Sequence, residues 1–369
     1  MFRRNVDQPR AKLLSLGIAI MILLNLSLAP QQVYGQSDVS QGQTSHSDSP
    51  QVVIALADGT DVDQVAANYE AEIVHQGPLN YATLELTTNS DLPQVLDELK
   101  QMPGIISAEV NQRRKISVVP RSSVPQDPLF EKQWSMVSGN VQGAWDMGAT
   151  GLGVTIAIVD SGVALDHLDL KDNLVPGYNA ITESEAPLAT QDDNGHGTHV
   201  SGIAAAGRNG VGIVGVAYKA KIMPIKAMNA KGEGYDDVIA DGIVWATDHG
   251  AKIINLSIGS ESGLSSAILN SAINYAYDGG CLLVGAAGNY APQTEVNPGV
   301  SYPASDPHVL AIVATDRTSK VTGYSETGSE IDLAAPGDYI ASTWWSKTEG
   351  SDYGYASGTS MAAPFVSGE

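Results

Sequence analysis

From about residue 128 onward the chain alternates predominantly apolar runs with longer mixed stretches. The runs are Val154 to Val159, Ala220 to Ala227, Lys252 to Ile258, Cys281 to Ala287 and Val309 to Ala314, each bounded by glycine or polar residues. Strands with one wet face alternate apolar and polar residues; unbroken runs belong to strands covered on both faces. Helical spacing falls between them, at 236–249 and 264–278, the second stopped by Gly279-Gly280. Strands alternating with helices predict an α/β fold, a parallel sheet with helices on both faces.

Residues 51–118 carry a different pattern. Val52 to Leu56 and Ile105 to Val110 read as strands, and Tyr81 to Leu86 alternates at period two. Asp61 to Glu72 and Leu92 to Lys100 place apolar residues at helical spacing. The expected order is β-α-β-β-α-β, a small α+β ferredoxin-like unit. Prolines and serines at 119–127 mark a boundary before the larger domain, assigned to 125–369.

The N-terminus adds a compartment. Arg3, Arg4, Arg10 and Lys12 precede an apolar stretch from Leu13 to Leu28, and Val33 and Gly35 are small residues at cleavage-site spacing. This predicts a signal peptide over 1–35, a flexible spacer over 36–50, and a secreted product with no stable membrane association. The formal net charge is −21, from 20 basic and 41 acidic side chains, which argues against a nucleic-acid partner. One cysteine, Cys281, excludes an intrachain disulfide; it opens an apolar run and reads as a small buried hydrophobe.

Three separated segments carry nucleophilic chemistry: Val159-Asp160-Ser161-Gly162, Gly195-His196-Gly197-Thr198-His199 and Gly358-Thr359-Ser360-Met361-Ala362. A serine hydroxyl needs an imidazole to take its proton and a carboxylate to fix the imidazole's tautomer. Asp160 ends an apolar strand run, where open α/β sheets place their ligand sites. His196 lies between glycines at a helix start, and His199 reads as packing. Ser360 also opens a helix and could offer its N–H to a developing oxyanion. Asn289, after Gly285-Ala286-Ala287-Gly288, is the candidate second donor. The order Asp, His, Ser disfavours an esterase-like arrangement, which runs Ser, Asp, His.

These segments resemble the subtilase family of secreted serine peptidases. Asp127-Pro128, Gln133-Trp134 and Ala144-Trp145 resemble its thermitase-like branch. The resemblance implies Asp160, His196 and Ser360 as triad and Asn289 as oxyanion donor. It implies Ser257, Ile258 and Gly259 on one side, and Ala286, Ala287 and Gly288 on the other, as backbone and pocket walls for an extended peptide. It implies structural calcium, with ligands from Asp127, Asp169 and Asn209 and from the carbonyls of Gly207, Val211 and Ile213. Residues 51–118 resemble the family's inhibitory pro-segment, self-cleaved somewhere in 116–125, with Arg113-Arg114-Lys115 a solvated strand end near that junction. The expected protein is a monomeric, self-processed endopeptidase acting on peptides or proteins. The family's helix after the serine continues past the equivalent of Glu369, so the domain is expected to be incomplete at its C-terminus. A competing reading is an inactive, truncated chain that binds peptides through the same cleft.

Overall fold

The computed structural model describes residues 49–86, 91–115, 122–123, 129–260, 264–292 and 296–369. The first part runs β1 (Gln51–Leu56), α1 (Val62–Asn68), β2 (Glu72–Gly77), β3 (Tyr81–Glu85), α2 (Leu92–Gln101) and β4 (Ile105–Val110). The strands form one antiparallel sheet in the order β2-β3-β1-β4, the split βαβ arrangement. Val52, Ile54 and Leu84 from the sheet pack on Val65 and Leu99 from the helices. Helix α1 is shorter than its pattern predicts. Tyr69 caps it and Glu70 takes a positive φ of 50°, so Glu72 begins a strand instead.

Short strands β5 (Arg113–Lys115) and β6 (Ser122–Ser123) follow, then helices α3 (Trp134–Ser138) and α4 (Val141–Asp146). The chain continues with β7 (Thr155–Asp160), β8 (Tyr178–Asn179), α5 (His196–Ala205), β9 (Lys221–Lys226), β10 (Glu233–Tyr235) and α6 (Asp236–Asp248). Then come β11 (Ile253–Leu256), α7 (Ala267–Asp278), β12 (Leu282–Ala286), β13 (Val309–Thr315), β14 (Ile331–Pro336), β15 (Ile340–Ser346), β16 (Gly350–Ala356) and α8 (Thr359–Gly368).

Seven strands form a sheet in the order β14-β13-β12-β11-β7-β9-β8, and every neighbouring pair is parallel. Alternate residues of one strand serve two cores, as a period of two requires. Ile156 and Ile158 of β7 join Val200, Ile203, Met361 and Phe365 from α5 and α8. Ala157 and Val159 join Ile239, Ile243, Leu269 and Ile273 from α6 and α7. With both faces closed, β7 carries the unbroken apolar run Ile156 to Val159 seen in the sequence. Cys281 is buried in the α6–α7 core, as its apolar setting predicts.

After β7 the chain builds outward through β8 and β9, then returns to place β11 on the other side of β7. The carboxyl ends of β7 and β11 therefore flank a topological switch point, where such sheets leave a crevice. Among the described residues, no helix is long and apolar enough to cross a membrane. The segment Leu13 to Leu28 lies outside the described residues.

Candidate active site

Asp160 is the last residue of β7 and His196 the first of α5; neither side chain has any exposure. The imidazole Nδ1 lies 2.8 and 2.9 Å from the two carboxylate oxygens, and Ser161 N–H donates to Oδ1 at 2.7 Å. The glycines around His196 allow this approach. Gly195 has φ 105°, and a Cβ there would lie 2.4 Å from the Trp345 carbonyl oxygen. A Cβ on Gly197 would lie 2.2 Å from the Gly162 carbonyl oxygen. A larger residue at 197 would push α5 off the turn that follows Asp160, and one at 195 would push it off β15.

Ser360 is the second residue of α8, and its hydroxyl donates to the Ser257 carbonyl at 3.1 Å. Ser257 Oγ returns a bond to the Ser360 carbonyl at 2.9 Å. Pro364 explains why that carbonyl is open: it stands four residues on, inside the helix, and has no N–H to donate. Asn289 Oδ1 accepts from Thr359 N–H at 2.9 Å, and Gly288 N–H donates to Thr359 Oγ1 at 3.1 Å. The ends of β11 and β12 are thus tied to the start of α8.

The structure joins Asp160 with His196, Ser360 with Ser257, and Asn289 with Thr359. It does not join Ser360 with His196: Nε2 of His196 is buried with no hydrogen-bond partner among the described residues. A free enzyme often leaves this contact loose, and substrate closes it. His199 is packing, as expected; its Nε2 lies 3.1 Å from the Ile340 carbonyl oxygen, and Met361 beside the serine is fully buried.

The candidate walls Ser257 to Gly259 and Ala286 to Gly288 meet through Ser301. Its N–H donates to the Ala287 carbonyl at 2.8 Å, and its Oγ lies 3.0 Å from the Ser260 carbonyl oxygen. The buried carboxylate of Glu326 also accepts from Ser301 Oγ, at 2.6 Å, close against Gly288. Sequence reasoning missed Glu326, because no motif joins it to either wall.

Of the candidate calcium ligands, Asp127 lies outside the described residues. Asp169 is buried; Oδ2 accepts from Ile213 N–H at 2.8 Å, while Oδ1 is buried with no hydrogen-bond partner among the described residues. Burial raises the Asp169 carboxyl pKa, against the pull of the Ile213 N–H and neighbouring groups. Gly207 N–H donates to the Asp169 carbonyl at 2.8 Å, and the Asn209 amide donates to the Leu168 carbonyl at 3.0 Å. An orphaned carboxylate oxygen beside a loop of oxygen donors fits a hard cation. Among the described residues, no three His, Cys, Asp or Glu side chains form a metal cluster, so carbonyl oxygens would supply most of the coordination.

The N-terminal unit sits on helices α6 and α7. Glu109 accepts from Ser266 Oγ and from the first two α7 amides, Ala267 at 2.8 Å and Ile268 at 3.1 Å, which suits a carboxylate at a helix N-terminus. Three acids of α6 find partners in this unit. Asp241 takes the Tyr81 hydroxyl and His75, Asp237 takes the Thr83 hydroxyl, and Asp236 takes Arg114. Arg114 has no exposure. The expectation of a solvated strand end is corrected here: β5 pairs antiparallel with β10, which buries Arg114 on Asp236.

Residues 151–369 match the profile of the subtilase family. Thermitase of Thermoactinomyces vulgaris is 41% identical over 246 residues, covering 66% of this chain and 83% of thermitase. A thermostable alkaline protease of Halalkalibacterium halodurans is 35% identical over 320 residues, 86% of this chain and 79% of that protein. Among solved structures, fervidolysin of Fervidobacterium pennivorans, described as a keratinolytic enzyme related to subtilisin, superposes with a TM-score of 0.74 at 30% identity. That match covers 87% of this chain and 54% of the fervidolysin chain.

Proposed function

This chain belongs to the subtilase family of serine endopeptidases, and we propose that it is the self-inhibited precursor of a secreted one, with Asp160, His196 and Ser360 as its triad. The observation that carries this reading is the wholly buried His196–Asp160 contact at the carboxyl end of β7. Asp160 fixes the tautomer with Nδ1 protonated, so Nε2 is left as the base. Rotation of the Ser360 hydroxyl away from the Ser257 carbonyl brings it to Nε2 as peptide enters. Ser360 then attacks the scissile carbonyl while Nε2 takes the hydroxyl proton. The oxyanion is held by the Ser360 N–H and the Asn289 side-chain amide. The protonated imidazole gives its proton to the leaving amine, and water attacks the acyl group by the same route.

Peptide binding follows β-augmentation, in which backbone bonds give affinity and pockets discriminate. The chain's own β5, laid antiparallel on β10, supports this. We read residues 51–118 as an inhibitory pro-segment that uses β5 as a strand-shaped plug, followed by cleavage within 116–125. The alignment with the alkaline protease, longer than the 151–369 family match, is consistent with a shared N-terminal unit. Asp169, Asn209 and the carbonyls of Gly207, Val211 and Ile213 would hold a calcium ion, with Asp127 a further ligand. That ion would supply a structural clip in a chain without disulfides.

The test compares the wild-type full chain with Ser360→Ala, with calcium present. The wild type should lose its N-terminal unit by a cut within 116–125 and then hydrolyse a peptide anilide; Ser360→Ala should do neither. Equal silence of both after the unit is removed by an added protease would favour a peptide-binding protein.

A further inference from the structure

We propose that Asp192 and Ser161 are positioning residues that hold the Asp160 turn in register with the helix carrying His196. The inference rests on the triad assignment above. Asp192 is fully buried and accepts five hydrogen bonds. Oδ1 takes Ser161 Oγ at 2.9 Å, Asn194 N–H at 3.0 Å and Gly195 N–H at 2.9 Å. Oδ2 takes Thr198 N–H at 3.0 Å and Thr198 Oγ1 at 2.5 Å. Four of these bonds organise the entry to α5. The fifth, from Ser161, reaches across to the residue after Asp160.

Ser161 Oγ also accepts from Gly197 N–H at 3.0 Å, so one hydroxyl is gripped from two points on the α5 side. The Ser161 carbonyl is held from the sheet by Lys226 Nζ at 2.5 Å, and Asp193 pairs with that ammonium at 2.6 Å. The Ser161 N–H donates to the same Asp160 oxygen that meets His196 Nδ1 at 2.8 Å. A shift of Ser161 therefore moves a donor on Asp160 and the angle at which Asp160 meets the imidazole. Helix capping alone accounts for the bonds to Gly195 and Thr198 but not for the bond to Ser161. An asparagine at 192 would turn its NH2 toward donors in either orientation, because both oxygens of Asp192 only accept.

The test uses the full chain, self-processed or, where a variant cannot process itself, cut by an added protease. Ser161→Ala, Asp192→Asn and the double variant are compared with wild type. Rates are referred to titrated active sites, and pH–rate profiles and melting temperatures are recorded. In a Ser360→Ala background, the far-downfield proton resonance of His196 Nδ1–H is followed by NMR. Ser161→Ala should lower kcat about tenfold and Asp192→Asn about 100-fold, the scale set by misplacing a catalytic group by about an ångström. KM should stay within about twofold, and the double variant should be no worse than Asp192→Asn, because the two act through one contact. A looser carboxylate supports the imidazolium less, so the acid limb of kcat/KM should move to lower pH and the Nδ1–H resonance upfield.

A purely structural role would lower the melting temperature while leaving kcat per active site, the acid limb and the resonance in place; that result overturns the proposal. Should Asp192→Asn not fold, Ser161→Ala, which removes one oxygen, decides alone. If wild type proves inactive, the catalytic assignment fails separately, and the resonance in the Ser360→Ala pair still reports whether Ser161 and Asp192 set the Asp160–His196 geometry.

Discussion

Replacing His75 with glutamine should make the N-terminal unit's hold on α6 nearly indifferent to pH. In the native contact His75 Nε2 lies 2.5 Å from Asp241 and Nδ1 lies 3.2 Å from Glu183. Burial alone would push the imidazole pKa down. The hydrogen bond and charge of Asp241, followed by the charges of Asp237 and Glu183, outweigh burial and raise it from 6.5 to about 9. At about 1.4 kcal/mol per unit, that rise is worth at most about 3 kcal/mol. Glu183 is 63% exposed, so water screens part of the attraction. We expect about 2 kcal/mol to remain. When the unit opens, His75 returns to its ordinary value. The contribution is therefore complete below about pH 6.5 and is lost as pH rises through about 9. Hydrogen exchange at the β1 and β3 amides, corrected for intrinsic rates, reports opening of this unit. In the Ser360→Ala chain, His75→Gln should lower the opening free energy by about 2 kcal/mol at about pH 6 and by little near pH 10. A difference that stays constant across this range would refute the reasoning.

Other outcomes follow from the same geometry. Asn289→Ala should lower kcat about 100- to 1,000-fold with a small change in KM, the scale known for an oxyanion amide in this family; steady-state kinetics on a peptide anilide measures it. Arg114→Ala should weaken docking of the N-terminal unit by about 3–5 kcal/mol, because it strands a buried carboxylate. Asp236, whose pKa burial already raises against the pull of Arg114, would then take up a proton, and limited proteolysis of the unit should accelerate. Calcium at about 100 times its dissociation constant should add about 2.7 kcal/mol of stability. Asp169→Asn should abolish that gain, read as a melting temperature that no longer responds to calcium or to a chelator.

The five apolar runs were legible because each strand is buried on two faces, so neither side of Ile156-Ala157-Ile158-Val159 tolerates a polar residue. Strand β14 gives no such signal: it lies at the sheet edge, with Asp332, Leu333 and Ala334 exposed. Strands β15 and β16 are rich in Ser, Thr, Tyr and Gly, and their residues find each other only by cross-strand pairing. Strand β2 was hidden by the helical spacing before it, which ends only because Glu70 turns the chain. At the site, the three motifs were readable because each needs glycine beside it for close backbone approach. The bonds that hold them were not. Ser257 reaches Ser360 across 103 residues and Ser161 reaches Asp192 across 31, and a shared hydroxyl leaves no pattern in the sequence.

Covalent labelling of the active protein tests the central claim most directly. A fluorophosphonate bonds to the serine that a neighbouring imidazole activates, and mass spectrometry of the digested adduct locates it. The phosphonyl group should sit on Ser360 in the wild type, and labelling should collapse in His196→Ala and fall steeply in Asp160→Asn. A chain that hydrolyses peptide but carries the label on another residue, or labels equally well without His196, would contradict the account.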